Sequence, residues 1–176
     1  MKIIEFKDNE LVISDEAYHI KAFKEIWDKD KSKDKEKALT FFSYLYFYYN
    51  PASDYNYIVD EDEKDAAIME GCGIEDLDFL NDELHQKAVE IYCKMVITTS
   101  SKILNNNRKR LHKLDNYLDN MVLDDDNITK YTKALSDVNK LATEIAQSEK
   151  EIYKDIEEQS AKVRGKVQLT IGDMGL

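Results

Sequence analysis

The pairs Glu16-x-x-His19 and Asp82-x-x-His85 are the arrangement in this chain that comes closest to chemistry. A carboxylate and an imidazole three residues apart on a helix share one face. Two such segments, completed by two inward-facing glutamates, hold a pair of iron or manganese ions in a helical bundle. A di-metal enzyme using Glu16, His19 and His85 is therefore one reading. The competing one is that both pairs fall in the first turn of a helix, where acidic residues complement the helix dipole. This second reading is favoured, because the neighbouring helical seams are apolar and offer no inward glutamate. Asp60-x-Asp62 and Asp76-x-Asp78 begin like calcium loops but lack the glycine and the closing glutamate at the required offsets. The sequence contains no HExxH, no glycine-rich phosphate loop and no serine elbow, so nucleophilic and phosphoryl chemistry has no anchor. No enzymatic activity, metal or cofactor is expected. His112 lies in Arg108-Lys109-Arg110-Leu111-His112-Lys113, the one concentrated basic patch. That patch suits phosphate, or a solvated helix face, or the acidic 60–83 stretch of a neighbour.

The elements that would position these residues are helices. A single Pro, five Gly and an abundance of Lys, Glu, Asp and Leu place the chain in the mainly α class. The net charge of -11 over 176 residues argues against a general nucleic-acid binder. Cys72 and Cys93 have no paired or metal-ligand spacing, which predicts free thiols in a reducing compartment. The start, Met1-Lys2-Ile3-Ile4-Glu5, lacks the apolar core of a signal peptide. No run approaches the roughly 20 apolar residues of a membrane span, so a soluble protein with no membrane partner is expected.

The chain is organised around Asn81 to Ser160, read as two long helices folded back on each other at Asp124-Asp125-Asp126. In the second arm Ile128, Tyr131, Leu135, Val138, Ala142, Ile145, Ile152 and Ile156 follow alternating steps of three and four, with Glu149 as a charge in the seam. The first arm starts at Asn81 as N-cap and carries two seams out of register. One is Leu84, Ala88, Ile91 and Met95; the other is Leu104, Leu111, Leu114, Leu118 and Met121. Poor helix formers between Thr98 and Asn107 predict a bend or break there.

Around this hairpin, residues 1–13 read as a two-stranded β-ribbon turning at Asp8-Asn9, and 14–80 as short helices. Ser14 is a candidate N-cap for a helix presenting Ala17, Ile20, Phe23, Ile26 and Trp27. The alternating charges from Asp28 to Lys37 read as a solvated connection. The next helix, ending at Tyr49, is apolar on all sides: Phe41, Phe42, Tyr44, Tyr46, Phe47 and Tyr48 put it either at the centre of the fold or against a neighbouring chain. Asp60 and Glu63 have capping-box spacing for a helix that stops at Gly71-Cys72-Gly73. After Ser160 the period changes. Val167, Leu169 and Ile171 alternate with polar residues, which predicts a C-terminal strand entered at Gly165. The expected architecture is a helical bundle domain over 1–162, with the hairpin at 81–162, and a strand arm over 163–176.

The charged run leading to Ala38, Phe41, Phe42, Tyr44 and Tyr48, then Asn50-Pro51 and Asp54-Tyr55, resembles segments in small virion proteins of large tailed phages, especially crAss-like phages. The resemblance covers Lys35 to Tyr57. Helical subunits with an extended C-terminal arm are also similar to the head-to-tail connector, or neck ring, proteins of such phages. What this implies is a structural virion protein made in the host cytoplasm. It would form a homo-oligomeric ring, typically twelve-fold, that contacts the portal and other neck and tail proteins while genomic DNA passes through the channel without specific binding. Under this reading the subunit interface is Phe41, Phe42, Tyr44, Tyr46, Phe47 and Tyr48 with the arm residues Val167, Leu169 and Ile171. The hairpin seam is Leu111, Leu114, Leu118, Tyr131, Leu135, Val138 and Ile145. The rival from another class is a cytoplasmic coiled-coil interaction or regulatory module whose hairpin captures a partner helix.

Overall fold

The computed structural model describes residues 3–7, 10–123 and 127–172, with side chains as far as Lys154 except that of Lys7. The expected turns at Asp8-Asn9 and Asp124-Asp125-Asp126 and the tail 173–176 lie outside the described residues. The chain is mainly α with one small antiparallel ribbon, as the periodicity predicts. It divides into two compact units, Met1–Thr98 and Thr99–Leu176.

In the first unit, β1 (Ile4–Lys7) pairs with β2 (Glu10–Ile13), Ile4 opposite Ile13 and Phe6 opposite Leu11. A two-stranded ribbon needs support. It receives it from a helix: the Phe6 ring meets Phe47 edge-on at 4.9 Å and stacks near Tyr46 at 6.2 Å. Ser14 is extended but makes no side-chain cap, and a 3-10 turn over Asp15–His19 precedes α1 (Lys21–Lys29). The buried face of α1 is Ala22, Phe23 and Ile26, while Trp27 is met edge-on by Tyr18 at 5.3 Å.

The charged connection is not merely solvated. Asp30 reaches forward: one carboxylate oxygen accepts from the Ser32 amide and hydroxyl, both at 2.7 Å, and the other from the Ala38 amide at 2.9 Å. It thereby caps α2 (Glu36–Tyr49), whose own first residues lack a side-chain cap. Burial pushes the Asp30 carboxyl up, but these hydrogen bonds and the Lys35 charge outweigh it and hold the group below the ordinary carboxylate range. Lys35 donates back to the carbonyls of Trp27 (3.0 Å) and Asp30 (2.8 Å), closing the end of α1. The turn places Asp34 and Lys35 at positive φ, 54° and 62°, a conformation costly for residues with a Cβ.

Helix α2 lies at the centre of its unit. One side joins Ala38, Phe41, Phe42 and Leu45 to Phe23, Ile26, Ala88 and Tyr92; the other joins Tyr44 and Phe47 to Ile68 and Ile74. Helix α3 (Glu61–Cys72) starts as its sequence predicts, the Asp60 carboxylate accepting from the Glu63 amide at 3.0 Å. It ends at Gly73, whose φ of 65° takes the left-handed cap. At Gly71 a Cβ would come within 2.1 Å of the Tyr55 hydroxyl, so any larger residue there would force the Tyr55 side chain to shift. The loop is fastened by Ser53, whose buried hydroxyl donates to the Phe47 carbonyl at 2.6 Å. Helix α4 (Glu83–Val96) then closes the core with Ala88 and Tyr92.

The first arm of the expected hairpin is thus cut in two. Its break falls at Ile97-Thr98, earlier than the Asn105-Asn106-Asn107 run, which is helical. The seam Leu84, Ala88, Ile91 and Met95 serves the first unit's core, and the hairpin proper is α5 (Thr99–Asp119) packed on α6 (Ile128–Gly172). The out-of-register seams in the sequence have this cause: each faces a different core.

The boundary expected at 162/163 lies inside α6, whose backbone is helical through Gly172. Hence Val167, Leu169 and Ile171 do not form a strand, and their side chains lie outside the described residues. A strand here would need a neighbour's backbone groups, whereas a helix satisfies its own. Gly165 costs the helix only about 1 kcal/mol, and three alternations are too few to fix a period of two.

Candidate functional site

The aromatic residues assigned to a subunit interface are mostly interior. Phe41 and Phe42 are 0% exposed, Tyr44 and Phe47 are buried, and only Tyr46 and Tyr48 remain partly accessible. Two of the buried phenols find partners in the same unit. Tyr44 donates to an Asp65 oxygen at 2.9 Å, and the Tyr92 oxygen accepts from the Asn50 side-chain amide at 3.1 Å. Lys64, itself buried, donates to the Tyr48 carbonyl at 2.7 Å with its ammonium 4.7 Å from the Tyr48 ring centroid. Burial pushes the Tyr48 phenol up to about 12, helped by Asp65, Glu61 and Asp62, and raises Tyr44, Tyr49 and Tyr92 further. Tyr44 and Tyr92 are core tyrosines, and Tyr48 and Tyr49 are partly buried beside them. The sequence could not separate the two readings, since a ring of the same polarity serves either role.

Of the acid–histidine pairs, Asp82 and His85 resolve as a helix cap. Asp82, not Asn81, is the N-cap of α4: its carboxylate accepts from the Leu84 and His85 amides at 3.1 and 3.2 Å and from His85 Nδ1 at 2.7 Å. The His85 hydrogen bonds hold the Asp82 carboxyl below its ordinary range. The His85 ring stands edge-on to Phe41 at 4.6 Å, fixed against the core. Glu16 and His19 sit in the 3-10 turn before α1. Among the described residues no three His, Cys, Asp or Glu side chains come together as a metal site.

What remains is the α5–α6 hairpin. Along α6 the covered positions are Tyr131, Ala134, Val138, Leu141, Ile145, Ser148 and Ile152, a strict heptad seam. Tyr131, Val138 and Ile145 therefore belong to it, while Leu135 is 42% exposed and Ala142 is exposed. On α5 the matching positions are Ser101, Leu104, Arg108, Leu111, Leu114 and Leu118.

Comparison of the chain with known protein families, curated proteins and solved structures finds no match.

Arg108, read in the sequence as part of a basic patch, instead enters the seam. Its Nε and Nη2 donate to one Glu149 oxygen at 3.0 and 2.7 Å, with the Arg108 side chain 10% exposed. A charged pair at this depth fixes which turns of two greasy helices face each other. The signal was present in the sequence: Arg108 and Glu149 are opposite charges at seam positions of facing arms. Lys109, Arg110, His112 and Lys113 stay on the exposed face. Toward the tip, Val122, Leu123 and Ile128 are large apolar side chains in the open, Val122 at 81% exposure. Tyr117 and Tyr153 are likewise exposed.

The two arms are unequal. α6 has 45 residues against 21 in α5, so it is the longer by 24. Arg108 meets Glu149, and nine residues of α5 precede Arg108, which brings Thr99 alongside about residue 158 of α6. About four turns of α6 then run past the end of α5.

Proposed function

We propose that this chain is an assembly protein, non-enzymatic, that engages other polypeptides through the helical hairpin of its second unit. The observation that carries the reading is the inequality of the arms: α6 continues for about four turns beyond the helix that pairs with it. Those turns lack the packing on α5 that the rest of the helix has, and helices in proteins draw most of their stability from such packing. The open apolar side chains Val122, Leu123, Ile128 and Leu135 add a second reason to meet a partner.

The most specific form of this proposal follows the resemblance over Lys35 to Tyr57: a ring subunit of a tailed-phage neck, made in the host cytoplasm, incorporated in the virion and bound to the portal. In that form the ring contacts fall to α5 and α6, because Phe41, Phe42, Tyr44 and Phe47 are already used in the subunit's own core. The acidic stretch 60–83 is the candidate lining for a channel that DNA passes without sticking. The second reading, a coiled-coil interaction module, draws on the exposed stripe Ile128, Leu135 and Ala142, at seven-residue spacing on one face of α6. No helix among the described residues is long and apolar enough to cross a membrane.

Electron microscopy and native mass measurement of the full chain, alone and with candidate partner proteins, test the proposal. Closed rings support the neck form, and smaller complexes through the hairpin support the module. A protein that stays monomeric and captures nothing through its hairpin overturns both.

A further inference from the structure

Helix α6 carries a second stripe that its own hairpin does not use. Ile128, Leu135 and Ala142 recur at seven-residue intervals, and so do Asn139, Ala146 and Tyr153; together the two rows advance in steps of three and four. All six are exposed, Ile128 and Tyr153 at 50% and Leu135 at 42%. Each stands one residue past a position of the seam or its continuation, so the stripe is turned by about 100° from the face that meets α5. An apolar face this wide belongs to a helix with neighbours on two sides, whereas a helix with one partner needs only the narrower seam. The side chains are also ordered by size: Ile128 and Leu135 come first, Ala142 and Ala146 follow, and Tyr153 closes the row.

We propose that α6 pairs through this stripe with α6 of a second copy of the chain, antiparallel, about a twofold axis between Lys140 and Leu141. In that register Leu135 meets Ala146 and Ile128 meets Tyr153, each twice by symmetry. Large side chains then face small ones near the axis, and the two helices keep an even separation. A parallel pair would set Leu135 on Leu135 and Ala142 on Ala142, and the helices would splay. Asn139 of the two copies falls on either side of the axis, about 4.5 Å apart along the helices, where the two amides can bond; a lone polar residue in an apolar seam fixes register and orientation. The charges agree. The row bordering the stripe away from α5 is Thr129, Ser136, Thr143 and Lys150, and the antiparallel register sets Ser136 beside Thr143 and Thr129 beside Lys150, so no like charges meet. Sizes and flanks thus match α6 itself, which makes a second copy the occupant. From Ile128 to Tyr153 the face is about 39 Å long and about 10 Å wide, which gives on the order of 800 Å² over both copies. That is below the roughly 1,000 Å² of a lasting interface, so the pair forms and parts with concentration.

The pairing deepens the assembly reading and rests on it. Sedimentation equilibrium of the full-length chain over a range of concentrations tests it with Leu135→Glu, Ala146→Lys and the double variant. Either single change sets a charge against an apolar surface at two symmetric places, and the dissociation constant is expected to rise about tenfold or more. In the double variant the introduced acid of one copy faces the introduced base of the other. It is expected to associate at least about threefold more tightly than either single variant, where independent sites would make it the weakest of the three. The two positions lie about 16 Å apart within one chain, so this recovery arises only between antiparallel copies. Ile103→Glu, at an exposed position of α5 outside the stripe, changes the net charge as Leu135→Glu does and is expected to leave the constant within about twofold. Far-UV circular dichroism, unchanged in all variants, shows that the fold persists. A self-associating protein whose constant ignores the changes at 135 and 146, or whose double variant shows no recovery, overturns the α6 pairing and leaves the assembly reading standing. A chain that stays monomeric yet captures another protein, with Leu135→Glu weakening the capture, overturns the second copy as occupant. A chain that is monomeric and captures nothing overturns both.

Discussion

Replacing Phe42 by alanine separates a core helix from an interface helix. Phe42 is fully buried, with Phe23 at 5.4 Å and Phe41 at 5.7 Å between ring centroids. A buried phenylalanine removes on the order of 150–250 Å² from water, and at about 25 cal/mol per Å² its side chain contributes about 4–6 kcal/mol. Alanine keeps a methyl group and the unfolded chain is not fully extended, so the loss settles at about 4 kcal/mol, within the range of about 3–5 seen for such truncations. The first unit should unfold with a urea dependence near 2 kcal/mol per M, which converts the loss to a midpoint lower by about 2 M. Trp27, the single tryptophan, lies against this core and reports on this unit by fluorescence. The midpoint of the variant should not move when protein concentration changes tenfold. A loss under 1 kcal/mol would place Phe42 on a surface, and a midpoint that climbs with concentration would place it at a contact between chains. If the alanine variant does not fold at all, Phe42→Leu, costing under about 1.5 kcal/mol, supplies the same concentration test.

Three further outcomes are expected. Ile145→Ala should cost about 2–4 kcal/mol in unfolding of the hairpin, while Leu135→Ala, one phase away, should cost under about 1 kcal/mol; equal losses would refute the assigned seam. Asp82→Ala should lose about 1 kcal/mol of α4 capping at neutral pH. Because the folded carboxyl titrates below its ordinary value, that difference should be full above about pH 4 and disappear as the pH falls through the lowered folded value, as paired acid titrations of the two proteins by circular dichroism would read. Burial pushes the Cys93 thiol up to about 11, so at pH 8 its thiolate fraction, and its alkylation rate, should be about a hundredfold below that of the urea-unfolded chain; native and unfolded rates within a factor of three would contradict the burial of this side chain.

The residues that were legible in the sequence are those whose partners are local. Asp60 and Glu63, Gly73 and the Ile4 to Ile13 ribbon all act within a few positions of themselves, and each stands where spacing places it, whereas Ala17 and Ile20, expected on one helix with Phe23, Ile26 and Trp27, precede that helix. Errors appear where two answers share one local pattern and a distant element chooses between them. From Tyr131 to Val138 the intervening seam residue can be Ala134 or Leu135, three or four steps on, and only the position of α5 selects the smaller one. The aromatic helix reads alike as core or as contact until Asp65 is found beside the Tyr44 hydroxyl, 21 residues further along the chain. The same logic explains Asp30, whose acceptor oxygens look like part of a solvated charge run because the amide they cap, Ala38, belongs to the next helix.

Under the proposed assembly reading, function falls on the far side of this divide. Catalytic sites announce themselves by residue type and spacing, whereas a surface that joins proteins is defined by what it lacks within its own chain. Arg108 and Glu149 show the difference inside one hairpin: each is a charge at a seam position of its own arm, and only the facing arm shows that they pair across the hairpin. A pair so placed favours register over raw stability, since apolar residues of the same size would hold the arms at least as well. Register matters most where something else must be held at a fixed offset. A slip of one heptad between α5 and α6 would move the end of α6 by about 10 Å relative to the hairpin tip. Holding that offset fixed is what a subunit needs if a second chain is to find the end of α6 in the same place every time.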